Sequence, residues 1–360
     1  MKLGLLAPLF FFLAAFVPRV HAPLLAASRL EDSVPVFAYY YIWFDERSWQ
    51  RAKTDYPLLG HYSSDDIEVM RAHVFWAKGA GIRGFIVSWK NTGTLTPRLA
   101  QLIQVAQEED FALAIIYQGL DFERNPLPVA VIEADLDHFI SNFAANPVFR
   151  HFEKPLVILS GSWEFTPEEI ARLTESRRDR LLMLASEKNL AGYQRLAHLV
   201  DGNAYYWSSV DPYGTPNYVE KLTELAAAVH ANDGLWVAPA AVGFDARLLG
   251  GNRVIDRRDG ETLRLEMQAA LQSSADVVGL ISWNEFSENS HIEPSEEYGE
   301  RYLEVLADIQ GAEAPMAQSP DSSEPGDTSS ALTPAQLAAI GILVMLSLGA
   351  LVLLVWRNRH

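Results

Sequence analysis

The sequence predicts an α/β fold, a closed (β/α)8 barrel of the TIM type, from three observations. Short apolar runs alternate with helical segments eight times, most connections between them are short, and no Gly-rich phosphate turn follows the first strand. The alternation occupies residues 34–309, a length that suits such a barrel. An open doubly wound sheet is the alternative. The run Tyr39-Tyr40-Tyr41-Ile42-Trp43, standing where a phosphate turn belongs, counts against it.

In order, residues 34–41 form a first strand that ends in aromatics. Ser64-Asp65-Asp66 then caps a helix to about residue 78, whose Ile67, Met70, Val74 and Ala77 recur at helical spacing until Gly79 and Gly81 end it. Residues 84–89 make the second strand, and Pro97 opens a helix to 108. The third pair covers 111–117 and 129–143. A fourth strand, 155–159, is followed by Thr166-Pro167-Glu168-Glu169, a helix start by its Thr, Pro and acidic residues. Strands at 180–184, 202–207, 235–239 and 278–283 follow, with helices ending near 199 and 230 and spanning 261–272 and 296–309.

Composition narrows the function. The chain has 360 residues, a net charge of −17 and no cysteine, so disulfides play no part, and an acidic balance argues against nucleic acid as a partner. Its nine scattered histidines show no metal-ligand spacing, and no cofactor or metal is expected.

Both ends read as membrane signals. Lys2 precedes the apolar run 3–17 and then Val20-His21-Ala22, a small-residue cleavage site. Pro23 disfavours a cut there and moves the expected one to near Ala26-Ala27, which makes residues 1–27 a signal peptide; an uncleaved anchor is the alternative. Residues 28–310 are the barrel domain and 311–333, rich in Ala, Pro, Ser, Asp and Glu, a disordered tether. Within 334–360, residues 337–356 carry no charge and span about 30 Å as a helix, enough to cross a bilayer. Arg357 and Arg359 place the short tail in the cytoplasm and the barrel outside, so a lipid bilayer is an expected partner and the cell membrane the expected location.

Barrel enzymes carry their chemistry on loops at the carboxyl ends of the strands. Those ends offer Tyr39, Tyr41 and Trp43; Ser88 and Trp89; Tyr117 and Gln118; Trp163 and Glu164; Glu187; Tyr205, Tyr206 and Trp207; Asp245; and Asn284, Glu285 and Glu288, with His291 close behind. Many aromatics with carboxylates and amides, and few basic residues, suit a neutral sugar, whose C–H faces stack on rings while acceptors bind its hydroxyls. Any one of these aromatics is more simply explained as core. Glu285 and Glu288 are three residues apart, so on a helical turn their Cβ atoms would lie about 5–6 Å apart on one face. An acidic first turn that favours the helix dipole is the bland reading of such a pair. Residues 243–258, with Asp245, Arg247, Asn252 and Arg253, and Asp259 just beyond, are expected to overhang the mouth and help choose the substrate.

Four stretches carry a family resemblance: Leu59-Gly60-His61-Tyr62-Ser63-Ser64-Asp65-Asp66; Ala80-Gly81-Ile82-Arg83-Gly84-Phe85-Ile86-Val87-Ser88-Trp89; Val242-Gly243-Phe244-Asp245; and Trp283-Asn284-Glu285-Phe286-Ser287-Glu288 with Ile292-Glu293-Pro294. Over residues 34–309 the chain resembles glycoside hydrolase family 99, the endo-α-mannosidases, and shares its last motif with a related glycosyltransferase-like branch. The resemblance implies Glu285 and Glu288 as the catalytic pair. Glu285 would take the proton of the sugar's 2-hydroxyl, so that this oxygen displaces the leaving group and a 1,2-anhydro sugar forms. Glu288 would protonate the departing oxygen and then activate the water that opens the ring, with net retention. Glu288 then needs an elevated pKa, which a wall of aromatics supplies. Tyr39, Tyr41, Trp43, Trp89, Tyr117, Tyr206, Trp207, Asp245, Asn284 and His291 are the expected substrate-binding residues.

Departures from the family pattern are specific. Ile115-Ile116-Tyr117-Gln118-Gly119 has neither the family's His nor its Glu, Lys90-Asn91 stands where an aromatic and a Gly are usual, and Phe286, Ser287 and Asn289 replace Trp, His and Gly. The first expectation is thus a membrane-tethered, endo-acting retaining hydrolase of an α-linked mannan-like or other α-glycan. A glycan-binding barrel without turnover and a sugar transferase are the alternatives.

Overall fold

The computed structural model describes residues 34–312. In chain order the first seven parallel strands are β1 (Val36–Tyr41), β2 (Ile82–Trp89), β3 (Ala112–Gln118), β4 (Leu156–Ser160), β5 (Leu182–Ala185), β6 (Gly202–Ala204) and β7 (Leu235–Ala241). A short antiparallel hairpin follows, β8 (Phe244–Asp245) with β9 (Val254–Ile255), inside the stretch expected to be a loop. Strand β10 (Val277–Ile281) then pairs in parallel with β7 on one side and β1 on the other, which closes the barrel. The outer layer is α1 (Ile67–Gly79), α2 (Leu95–Glu108), α3 (Val129–Asn142), α4 (Pro167–Thr174), α5 (Leu190–Leu196), α6 (Tyr218–His230), α7 (Glu261–Gln272) and α8 (Arg301–Gln310). Eight barrel strands and eight helices alternate as the sequence predicts.

Local chemistry sets several boundaries. The Asp66 side chain accepts the Glu68 N–H and starts α1, and Thr166 with Glu169 forms a reciprocal capping box at α4. β10 stops two residues short of the expected end because Ser282 turns aside. Its N–H donates to the Ser290 carbonyl and its own carbonyl accepts from Ile292, so the chain folds back on itself. The last helix begins at Arg301 rather than 296, because residues 295–299 close into a turn with Gly299 at φ +56°.

Strand parity divides the core. Phe37, Tyr39, Ile86, Ala114, Ile116, Ile158, Leu184, Val237 and Ile281 point inward and fill the barrel. Alternate residues pack outward under the helices: Tyr40 stacks on Phe85 at 4.4 Å, and Trp236 Nε1 donates to Ser273 Oγ at 3.0 Å. Each such large apolar side chain contributes about 1.5–3 kcal/mol on burial. Tyr39 has room inside because Gly279 faces it; a Cβ there would stand 3.0 Å from the ring.

One outer contact holds a titratable group. Glu266 on α7 is 3% exposed and accepts the Tyr218 hydroxyl at 2.7 Å; burial, reinforced by Asp211, pushes its carboxyl up to about 8. The folded protein therefore keeps a proton that the unfolded chain loses above the ordinary carboxyl range. Stability from this group should fall as pH rises from about 4.5 to about 8, by up to a few kcal/mol. Glu266→Gln, which keeps an acceptor for Tyr218, should flatten the Tm-versus-pH curve over that window and raise Tm at pH 8. Parallel curves for the two proteins would contradict this.

Among the described residues no helix is long and apolar enough to cross a membrane. The expected signal segment, tether and apolar run 337–356 lie outside the described residues.

Candidate active site

The segment leaving β10 is a turn, not a helix, and it is pinned from several sides. Trp283 N–H donates to Tyr39 O and Asp245 N–H to Glu288 O, while Glu285 N–H donates to Ser282 Oγ at 2.9 Å. The turn carries both glutamates to the mouth. Glu285 is 8% exposed and accepts the Ser287 N–H at 3.0 Å. Burial and then the charge of Glu288 push its carboxyl up to about 7, against the pull of Ser287 and of Lys53, whose ammonium donates to Ser287 Oγ. Glu288 is half-buried and is also raised, first by burial; Arg124 and the Ser208 hydroxyl, 3.5 Å away, oppose the rise. The elevation expected of Glu288 is present, and Glu285 is raised as well; the field of Arg124 tempers the rise at Glu288. Two like charges this close favour a state with one proton between them.

Aromatic side chains form the wall. The Tyr41 and Tyr206 hydroxyls are hydrogen-bonded to each other, and the charges of both glutamates reach both phenols, which burial keeps protonated. Trp43, 40% exposed, stacks on Tyr41 at 4.4 Å. Trp207 meets Trp163 edge-on at 5.8 Å, with the Lys188 ammonium over both rings. A proton-sharing carboxyl pair, phenolic donors and open indole faces form a site that can protonate one oxygen and deprotonate another on a stacked sugar.

Known proteins share this barrel. The model of glycosyl hydrolase family 99 matches residues 46–304. The chain belongs to that family. It is accordingly a glycoside hydrolase. Among solved structures, the family 99 endo-α-mannosidase of Bacteroides thetaiotaomicron superposes with a TM-score of 0.67 at 18% identity, covering 78% of this chain and 96% of that one. A glycoside hydrolase-like protein gives 0.60 at 16%, covering 82% and 97%, and the exo-β-1,4-mannosidase Op5Man5 of an Opitutaceae bacterium gives 0.51 at 12%, covering 78% and 60%. At these identities the likeness is one of fold. No curated protein matches the chain.

Within this family 99 barrel the expected binding residues separate. Tyr41, Trp43, Tyr206 and Trp207 gather near the glutamates. Tyr39 lies beneath them, fully buried, its ring 4.5 Å from that of Tyr206 and its hydroxyl without a partner. Trp89 and Tyr117 point the other way: Trp89 packs on Phe139 of α3, and Tyr117 donates to Asp135 of α3 at 2.9 Å. Their inward neighbours Ser88 and Gln118, hydrogen-bonded at 2.9 Å, hold the positions expected of them. Asn284 is consumed structurally. Its Oδ1 accepts the Tyr41 N–H and its Nδ2 donates to the Tyr41 carbonyl, which latches the turn to β1. Asp245 is occupied by Arg247 at 2.7 Å. His291 is 1% exposed, stacked on Phe286 and bonded to Asp55, and burial with nearby Arg257 holds it down at about 3, so it stays neutral and away from solvent.

Several residues emerge only from the fold. Lys53, Arg124, Lys188 and Ser208 come to the mouth from loops. Beneath it Tyr62 donates to Glu293 at 2.9 Å, and Glu293 pairs with His73, which meets Tyr40. His73 had a readable signal: it is a polar residue one position before Val74 and three after Met70, on the apolar face of α1. Removing the cation beside the pair gives a direct test. Arg124→Gln should let Glu288 rise further, so the alkaline limb of the kcat/KM profile should move up by about half to one pH unit. An unmoved limb would place Arg124 outside the pair's field.

Proposed function

We propose that this glycoside hydrolase is membrane-tethered, stands outside the cytoplasm and cuts α-linked, mannan-like chains internally with retention. The observation that carries the reading is the pair of Glu285, buried, and Glu288, half-buried, at the carboxyl mouth, in mutual electrostatic contact and in the field of the Tyr41 and Tyr206 phenols. Glu285 accepts the proton of the sugar's 2-hydroxyl as that oxygen attacks the anomeric carbon. Glu288 gives its proton to the departing glycosidic oxygen, the C–O bond breaks, and a 1,2-anhydro sugar and a shortened chain result. Water then opens the strained ring: Glu288 takes one of its protons, the remaining hydroxyl bonds the anomeric carbon, and Glu285 gives back to the 2-oxygen the proton it had accepted. Two inversions give retention. Retention is what the family resemblance of the Glu285 and Glu288 motif implies, and the electrostatic contact of the two carboxyls is compatible with it. Tethering and exposure rest on the apolar runs at both ends and on Arg357 and Arg359.

The test uses the full chain in detergent with linear α-mannans and α-glucans. Internal cleavage shows as an early fall in chain length, and proton NMR of the first product gives its anomer. The reading predicts oligomeric α-products from a mannan. A β-product would overturn retention, and monosaccharide release alone would overturn endo action.

A further inference from the structure

The mouth is not as poor in cations as the sequence suggests, and one cavity beside it collects them. A space of about 430 Å³ between α5 and α6 is lined by Lys188, Tyr205, Lys221, Glu224 and Arg253 among others. Lys188 is shared with the mouth, since its ammonium sits 3.8 Å from the Trp163 ring and 4.6 Å from that of Trp207. Tyr205 directly precedes Tyr206, whose hydroxyl bonds Tyr41. Lys188 thus lines the cavity and also stands at the mouth, on the indoles of Trp163 and Trp207.

Three cations and one carboxylate line this cavity in a chain of net charge −17. Lys188, Lys221 and Arg253 have no carboxylate within ion-pair distance among the described residues; Lys221 and Arg253 are exposed, and Lys188 is half-buried. The acid next to Lys188 is already taken, for Glu187 accepts from Arg195 and Ser162. Lys188 is held over two indole faces with no carboxylate bonded to its N–H donors. Burial lowers its pKa; Glu164 opposes that fall, Arg124 adds to it, and Glu187 opposes it more weakly. A cation held partly desolvated and without a bonded counter-ion favours an incoming anion.

We propose that this cavity is a subsite for an anionic substituent of the glycan, a sulfate, phosphate or uronate carboxylate on a sugar one or more residues from the cleaved bond. The proposal rests on the reading of the mouth as a glycan site and adds the substrate's charge to it. Lys188 fixes the sugar's position against Trp163 and Trp207, while Lys221 and Arg253 meet the charged group. The expectation of a neutral sugar gives way to a chain with acidic side groups.

Binding is measured by calorimetry on full-length Glu285→Gln protein in detergent, with a sulfated α-mannan and its unsulfated parent of the same length. At about 50 mM NaCl the sulfated chain should bind about 10-fold tighter, and at about 500 mM the preference should shrink to within about threefold. In Lys221→Gln/Arg253→Gln the ratio of the two affinities should fall to about 1, and Lys221→Arg should keep it. Equal affinities in the starting protein, or a preference that survives the double variant, would overturn the proposal. A phosphorylated and a uronate-bearing mannan, run alongside, identify which anion is read. Wild-type turnover of the unsulfated parent is scored separately. If the parent is never cleaved while the charge preference and its loss are both seen, the hydrolytic reading on mannan fails and the anion subsite stands.

Discussion

Glu288→Gln should lower kcat/KM on a natural α-mannan by about 10²–10⁴-fold, and Glu285→Gln should do the same, because each removes a proton transfer from the rate-limiting displacement. The two losses separate when the leaving group changes. An aryl α-mannoside departs as a phenolate and needs little protonation, so Glu288→Gln should retain most of its first-step rate on that substrate. Glu285→Gln should lose as much on the aryl glycoside as on the mannan, since the 2-hydroxyl still has to be deprotonated. The double variant should be little worse than the poorer single one, because residues acting in one step are not additive. Equal losses of both variants on both substrates would mean that neither glutamate has the role assigned to it. The pair also sets the pH dependence. With Glu285 raised to about 7 and one proton shared, kcat/KM should fall about tenfold per pH unit above that value as the shared proton is lost.

Arg257→Met should be the most damaging substitution outside the mouth. Arg257 is 6% exposed and lies between the Tyr298 and Tyr302 rings, 4.3 and 4.6 Å from their centroids. Its guanidinium donates to the His291 carbonyl at 2.8 Å and to the Asn289 carbonyl and side chain at 3.1 Å. These contacts close the turn that carries Glu288. Methionine fills much of the space but leaves two buried carbonyls without donors, at a cost of about 1–3 kcal/mol each. Tm should drop by several degrees. The activity loss should exceed what unfolding explains, because a shift of about 1 Å in a catalytic group costs about 10²-fold. Measured well below Tm, kcat should fall while the affinity for mannan changes little. Arg257→Lys should not restore it, since an ammonium cannot reach both carbonyls and stack between two rings. Full activity in either variant would remove Arg257 from the positioning of the turn.

The barrel was legible because its alternation of strand and helix is regular, and the glutamates because they follow the last strand within a specific motif. Side-chain direction was not. β2 and β3 are buried on both faces, so their apolar runs show no period of two, and nothing in the sequence says that Ser88 and Gln118, not Trp89 and Tyr117, face the barrel axis. Asn284 and His291 stand in the right segment, yet their partners Tyr41 and Asp55 lie 243 and 236 residues away. Only the closed barrel brings them together. The glutamates ride on a turn rather than on one face of a helix, because Ser282, Ser290 and Ile292 bond to one another. Lys53, Arg124 and Lys188 belong to loops, where the strand-end rule does not look, and their arrival changes the charge of the mouth.

A crystal of the Glu288→Gln protein with an α-mannooligosaccharide longer than the site puts the two glutamates to the most direct test. One pyranose should lie with its 2-hydroxyl within about 3 Å of a Glu285 carboxyl oxygen and its glycosidic oxygen within about 3 Å of the amide that replaces the Glu288 carboxyl, with neighbouring rings on Trp43 and Trp207. A sugar bound at the mouth with no ring touching both side chains, or a chain seated elsewhere on the barrel, would contradict it.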